Sequence, residues 1–367
     1  MSWTGLLLLR DERSGTNPAV LPLLAVGCML ALLGLAGSTW QKYRELGLLA
    51  LAGTVGRGEL KMERNFARDT KAFRTPGEQE EKEGKVRKAQ KEAYNHRGER
   101  MKAAAWRWKG DKRVFLLPVE LVDQARHMFH LSRDLLAAVT TLYAETPRED
   151  GKVVTSFRQL CRMLRIQPSG RVYEEINLAF AILRTFTIRH QDLVLELDRE
   201  GRAKKTGDCT FGFVDTVEVV TRVRDEKTGR LKEVPLSKRQ VEIQLSKHYQ
   251  TLLQARGGSK DLLCSVPVAA LEACRKLGKR QTGPAKNLVY YLAGRGGRAK
   301  VKLETLVEVL GVHPRWPSEA RKVCENILSA LRDQGVIRYI VSANDAYEIA
   351  LTEKGSTTRT EEVAEED

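Results

Sequence analysis

No two of the six cysteines (Cys28, Cys161, Cys209, Cys264, Cys274 and Cys324) stand in C-x-x-C spacing. That leaves no zinc or dithiol pattern. Most of the six sit in apolar stretches and read as buried free thiols of a reducing compartment. A phosphate-cradling loop is missing too. Gly278 to Gly283 begins the spacing of a P-loop, but Pro284 stands where its lysine belongs, which argues against an ATPase. The metal site of strand-nicking enzymes needs a His-apolar-His motif and a tyrosine nucleophile. His127 and His130 are instead three apart on an expected helix, and Tyr290 and Tyr291 lie in an apolar one, where packing is the better reading. No serine-triad signature occurs. The expectation is a chain with no enzymatic chemistry of its own, no metal and no cofactor.

Acidic residues are the scarcer sign, 47 against 62 Lys and Arg, for a net charge of +15 and a pI near 9.6. A polyanion is the first partner such a balance suggests, although membrane surfaces also attract basic chains. The 367 residues, 42% of them hydrophobic, suffice for two domains with their own cores and some extra segments.

Charge is absent altogether from residues 14–41. The centre of that stretch, 19–37, is long enough to cross a bilayer, and a weaker apolar run follows at 46–55. The basic flank (Lys42, Arg44, Arg57, Lys61) would hold the rest of the chain in the cytoplasm. Three readings stay open. One is a membrane anchor that tethers a cytoplasmic protein. Another is a secretory signal with Gly34 and Ala36 before the cut. The third is a translation start at Met62, where the composition changes abruptly. Residues 57–113 hold 18 basic and 10 acidic residues, +8 of the net charge, and read as a solvated linker with some helix over 80–93. Within it, Trp106 and Trp108 either stack on bases, lie at a membrane interface or cap the first domain's core. The C-terminal Glu361 to Asp367 reads as a disordered acidic tail.

An internal repeat organises the remainder. Leu160, Leu164, Ile166 and Pro168 recur as Leu306, Leu310, Val312 and Pro314, each 146 positions on (306 less 160), and Phe157 matches Leu303. In the first copy Ser132 is expected to cap a helix, Val153 and Val154 to form a short strand, and Ser156 with Gln159 to make a capping box. A longer helix then buries Val172, Ile176, Phe180 and Leu183. Strand-like segments follow at 187–197, 211–223 and 231–245, the last two flanking a turn at 225–230. The second copy repeats the order. Pro284 suits a first helical turn, Val301 a strand and 303–310 a short helix. Ser318 would cap a helix burying Val323, Ile327 and Leu331, and a hairpin over 337–351 closes the copy. Helix, strand, helix, turn, helix, hairpin is the winged-helix order. The expected fold is α+β, mainly helical: two tandem winged-helix domains at 114–254 and 262–352. An apolar segment (1–61) and a charged linker (62–113) precede them, and an acidic tail (353–367) follows.

In such a fold the longer helix enters the major groove and the hairpin touches backbone or the neighbouring groove. The second helix leaves Arg315, Ser318, Arg321, Lys322, Glu325 and Asn326 outward. Arginine fits guanine, asparagine fits adenine, and the helix start favours phosphate. Trp316 is expected to pack the turn, and Glu325 to pair with Arg321. The first helix offers Arg171 and Asn177 but also the acids Glu174 and Glu175, so the second copy is expected to read bases. Lys276, Lys279, Arg280 and Lys286 form a basic cluster between the copies, suited to phosphate or to a solvated face. Tandem winged helices with this unequal division resemble the plasmid replication initiators that bind direct repeats, or iterons, at an origin. The resemblance covers about 117–351 and rests on the architecture plus Arg321, Lys322 and Asn326. It implies double-stranded origin DNA as partner, base reading by the second copy, a homodimer through the first, and host replication proteins as further partners. The main alternative is a membrane-tethered winged-helix transcription regulator.

Overall fold

The computed structural model describes residues 58–146, 150–197, 203–225, 229–254, 263–312, 316–342 and 346–352. The apolar stretch 19–37, Arg315 and the acidic tail lie outside the described residues. Among the described residues no helix is long and apolar enough to cross a membrane.

The stretch expected as a solvated linker is instead folded from residue 58 onward. In β1 (Glu59–Glu63) Leu60 and Met62 alternate inward. A start at Met62 would remove Glu59, Leu60 and Lys61 from this strand. Glu63 caps α1 (Arg64–Arg68): its carboxylate accepts the N–H groups of Asn65 at 3.0 Å and Phe66 at 2.9 Å. The helix expected over 80–93 is only α2 (Glu78–Lys82), after which the chain extends as β2 (Val86–Tyr94). Antiparallel β3 (Arg100–Trp108) and β4 (Arg113–Pro118) follow. Trp106 and Trp108, two apart on one strand, share a face and are buried, with Trp106 6.1 Å from the Phe115 ring. They belong to the core, so neither base stacking nor a membrane interface describes them.

The first module opens on α3 (Val122–Glu145). This helix begins well before Ser132, the expected cap. Ser132 is buried in mid-helix, where its hydroxyl donates to the Ala179 carbonyl at 3.2 Å. After β5 (Lys152–Ser156), Ser156 Oγ accepts the Gln159 N–H at 3.2 Å and starts α4 (Phe157–Met163) as expected. The return half of the box is different: Gln159 Oε1 accepts from Thr155 Oγ1 at 2.8 Å. Ser169 caps α5 (Gly170–Thr185), which buries Tyr173, Ile176, Phe180 and Leu183. The next two strands, β6 (Thr187–Leu197) and β7 (Ala203–Phe211), join the N-terminal sheet in the order β2-β3-β4-β6-β7. The module's own sheet is β5-β11-β8, made with β8 (Val214–Val219) and β11 (Gln240–Leu245). Between those two strands the hairpin extends as a ribbon of β9 (Arg222–Arg224) and β10 (Leu231–Glu233). The short helix α6 (Lys247–Gln254) follows.

The second module is entered through β12 (Leu263–Pro267), which pairs antiparallel with β1: Leu60 lies opposite Val266 and Met62 opposite Cys264. Then come α7 (Val268–Arg275) and α8 (Lys279–Gly294). Because α8 begins at Lys279, Pro284 lies inside the helix rather than in its first turn, and its missing N–H omits one helical bond. β13 (Arg298–Lys302) leads to α9 (Leu303–Leu310), which Gly311 ends in the left-handed region at φ 68°. The longer helix α10 (Pro317–Asp333) is capped by Trp316 with Pro317 at its first position, not by Ser318. β14 (Ile337–Val341) and β15 (Ala346–Leu351) complete a sheet ordered β13-β15-β14, the counterpart of β5-β11-β8. The offset of 146 residues carries both ends of β5 onto β13 (298 less 152, 302 less 156) and the start of α4 onto α9. Both units are winged-helix modules, and one continuous apolar core runs through them.

Candidate nucleic-acid interface

The reading helix of the second module has two unlike sides. Ala320, Cys324, Ile327, Leu328 and Leu331 are buried. Ser318, Arg321, Lys322 and Asn326 recur at the complementary spacing and are exposed. No side chain caps the helix start; Pro317 carries no N–H and the Glu319 N–H donates to the Trp316 carbonyl at 3.1 Å, which leaves the Ser318 N–H to meet an anion. Glu325, read as a partner for Arg321, accepts the Tyr347 hydroxyl at 3.3 Å and so ties α10 to the wing strand β15. Burial, and then Glu325, push that hydroxyl up to about 12. Trp316, expected to pack the turn, stands 66% exposed at the helix start. On the wing Arg338 faces solvent and Ile340 is 70% exposed.

The equivalent face of α5 is chemically weaker. Arg171, Glu174 and Asn177 are exposed, but the Arg171 guanidinium donates to Glu175 one turn on, at 3.1 Å. Glu174 and Glu175 add negative charge to this face, which repels phosphate.

The basic cluster expected between the copies divides. Lys279 and Arg280 are exposed in the first turn of α8. Lys276 is exposed but pairs with Glu272 at 3.3 Å. Lys286 is withdrawn from any DNA surface. It is 2% exposed, and its ammonium is bound to the Asp134 carboxylate on α3. The Tyr290 hydroxyl donates to the other oxygen of Asp134 at 2.9 Å, and Arg275 lies 3.7 Å away. Beside it, the fully buried Arg133 donates to the carbonyls of Phe66 at 3.0 Å and Ala67 at 2.7 Å and to Asn287 at 3.2 Å. Its guanidinium sits 4.2 Å from the Tyr290 ring. A buried charge needs such partners because desolvation is otherwise uncompensated. This polar junction joins α3 of the first module to α8 of the second.

His130 faces this junction. Burial, and then the charge of Lys286, hold its imidazole down at about 4. The unfolded chain, with an ordinary histidine, binds a proton between about pH 6.5 and about 4 that the native state refuses. Native stability should therefore fall as pH drops through that window. His130→Gln should flatten this part of a melting-temperature profile, and an unchanged slope would contradict the assignment.

The cysteines of the described residues are free. Burial raises Cys161 and Cys264 to about 11, and Cys274 and Cys324 to about 12, so their thiolates are scarce at neutral pH. Among the described residues no group of His, Cys, Asp and Glu could hold a metal ion.

Sequence reasoning missed two features. One is the junction, whose partners are far apart in the chain. The other is the charge of the first wing: its hairpin and turn were expected, but not that Arg222, Arg224, Arg230 and Lys232 are all exposed on it. Its signal was legible as cations alternating with Val223 and Leu231 around the turn.

Two reading helices, each braced by a short helix and flanked by a wing, define a tandem winged-helix protein. No family model and no curated protein matches the chain. Solved structures similar to it include the following. Selenomethionine derivatives of domains 2 and 3 of RctB are 12% identical, with 79% of this chain and 98% of that chain covered and a TM-score of 0.40. A second structure of RctB domains 2 and 3 is 11% identical, with coverage of 73% and 91% and a TM-score of 0.34. The Pi initiator protein in complex with iteron DNA is 10% identical, with coverage of 66% and 98% and a TM-score of 0.37.

Proposed function

We propose that this chain binds double-stranded DNA with sequence preference and serves as a replication initiator on repeated origin sites. The observation that carries the reading is the outward stripe of Ser318, Arg321, Lys322 and Asn326 on a helix whose opposite side is core. Arginine offers two donors to a guanine edge and asparagine one donor and one acceptor to adenine, while Lys322 and the Ser318 N–H at the helix start suit phosphate. The net charge of +15 supplies attraction that ignores sequence. The origin-repeat part of the reading, a second copy bound through the first module, and host replication proteins as partners rest on the resemblance of the tandem sequence pattern to iteron-binding initiators.

Titrating the full chain against duplex DNA at several salt concentrations tests the reading. The logarithm of the affinity should fall linearly with the logarithm of salt, with a slope near −0.9 for each phosphate neutralised. Footprints on the DNA flanking the gene should fall on direct repeats, with reading heads about one helical turn or a multiple apart. Absence of duplex binding, or binding indifferent to salt, would contradict it. Arg171→Ala with Asn177→Ala should weaken the specific complex less than about tenfold, because the same face carries the acids Glu174 and Glu175.

A further inference from the structure

We propose that a cavity between α3 of the first module and α8 of the second binds a small organic anion, with a phosphate or carboxylate head on a flat apolar body. The cavity shares no residue with the outward stripe of α10, and the inference does not depend on duplex binding.

The cavity holds about 330 Å³, a size that suits a small ligand. Residues 73–77 form one wall, α3 a second, and α8 with the end of α9 a third. Small residues leave the room. Gly77, Gly283 and Gly311 all line the cavity, and a Cβ added at Gly283 would meet no atom within 4 Å. Phe129 and His130 follow Arg126 by three and four residues on α3, so the three share a face, and that face lines the cavity. Phe73, Phe129 and Leu310 give it an apolar surface.

The polar side of the wall is one-signed. Arg74, Arg126 and His130 line the cavity, and among the described residues of its wall there is no carboxylate. The nearest acids are committed elsewhere or screened. Glu80 lies behind Arg74: one of its oxygens is 3.0 Å from the guanidinium, and the other accepts the Gly77 N–H at 3.0 Å. Asp134 is taken up by Lys286 and Tyr290. Asp123 stands 3.8 Å from Arg126, but its side chain is 92% exposed and solvent screens the pair. Arg74 is fixed in place by the Trp108 ring, 4.3 Å from its guanidinium. Burial draws the Arg74 guanidinium below the usual arginine range in spite of Glu80, and burial with the charge of Lys286 holds His130 down as well. Desolvated cations of this kind are stabilised by an anion brought among them. A guanidinium fork and an imidazole one turn apart suit the oxygens of a phosphate or carboxylate, and the phenylalanine rings suit a flat body.

Calorimetric titration of the full chain with phenyl phosphate, benzoate and inorganic phosphate at fixed ionic strength tests the site. The first two share a ring and differ in the head, so the tighter one identifies the head. Inorganic phosphate lacks the body. At least one aromatic probe should bind saturably, once per chain, and about tenfold or more tightly than inorganic phosphate. Arg126→Gln should weaken that binding about tenfold or more. Arg126 is exposed, so an unchanged melting temperature should accompany the loss. Arg158→Gln, which removes an exposed charge from α4, should bind the probe as the unaltered chain does. The probe should also shift one histidine ring resonance, the one missing from His130→Gln. The proposal is overturned if neither aromatic probe binds saturably, if inorganic phosphate binds as tightly, or if Arg126→Gln has no effect or no more than Arg158→Gln. A His130 resonance that stays in place overturns it too. Each of those results leaves the duplex reading untouched, because no residue of the α10 stripe takes part.

Discussion

Lys286→Ala is expected to destabilise the protein by about 3–5 kcal/mol, the usual cost of stripping one partner from a buried ion pair. The Asp134 side chain is completely inaccessible, and the ammonium of Lys286 is its direct counter-charge. Without it, the carboxylate keeps only the Tyr290 hydroxyl and the more distant Arg275. It must then stay ionised in an apolar setting or take up a proton, and both are costly. Asp134→Asn with Lys286→Met should regain most of the loss, because the amide oxygen still accepts from Tyr290 and neither member of the pair is then a buried charge. Urea unfolding of the three chains measures the difference. A Lys286→Ala loss below about 1 kcal/mol would be the value of a solvated surface pair and would contradict the burial argument.

Arg321→Ala with Asn326→Ala should remove site preference while leaving weak, salt-sensitive binding. Each bidentate base contact contributes about 1–3 kcal/mol of discrimination, so the pair accounts for roughly 30-fold or more. Both side chains are exposed and far from the helix's buried face, so the loss should appear in DNA binding and not in thermal stability. Lys279, Arg280 and the ribbon cations remain to attract phosphate. The contrasting variant, Arg171→Ala with Asn177→Ala, touches a helix whose outward face also carries the acids Glu174 and Glu175. If it were the first-module variant that lost specificity, the assignment of the reading head would be wrong.

The modules were legible because their local signals agree. The Ser156 cap and the apolar spacing on both longer helices are short-range features, the 146-residue offset repeats one such pattern, and together they locate β5, β13, α4 and α9 closely. The cap of α10 was also present as Pro317 beside Trp316, but Ser318 is the stronger single-residue signal and displaced it. The N-terminal sheet was harder to read. β2 buries only Val86 and Ala93 and fills its other positions largely with charged residues, so its period is hidden, and β6 and β7 reach it only through long-range pairing. Trp106 and Trp108 did carry the period-two mark of a strand face. Nothing local distinguishes Lys286 from Lys279. Its burial depends on Asp134, 152 positions earlier, which only the packing of α3 on α8 brings near.

The central claim, a duplex-reading protein whose second module discriminates sequence, is tested most directly by one ratio. The full chain is titrated at fixed salt against the duplex it selects from a random pool and against a scrambled duplex of equal length. Specific complexes of this kind are tighter by at least about 10³, and that is the ratio expected here, falling towards unity for Arg321→Ala with Asn326→Ala. A ratio near one for the unaltered chain would contradict the account.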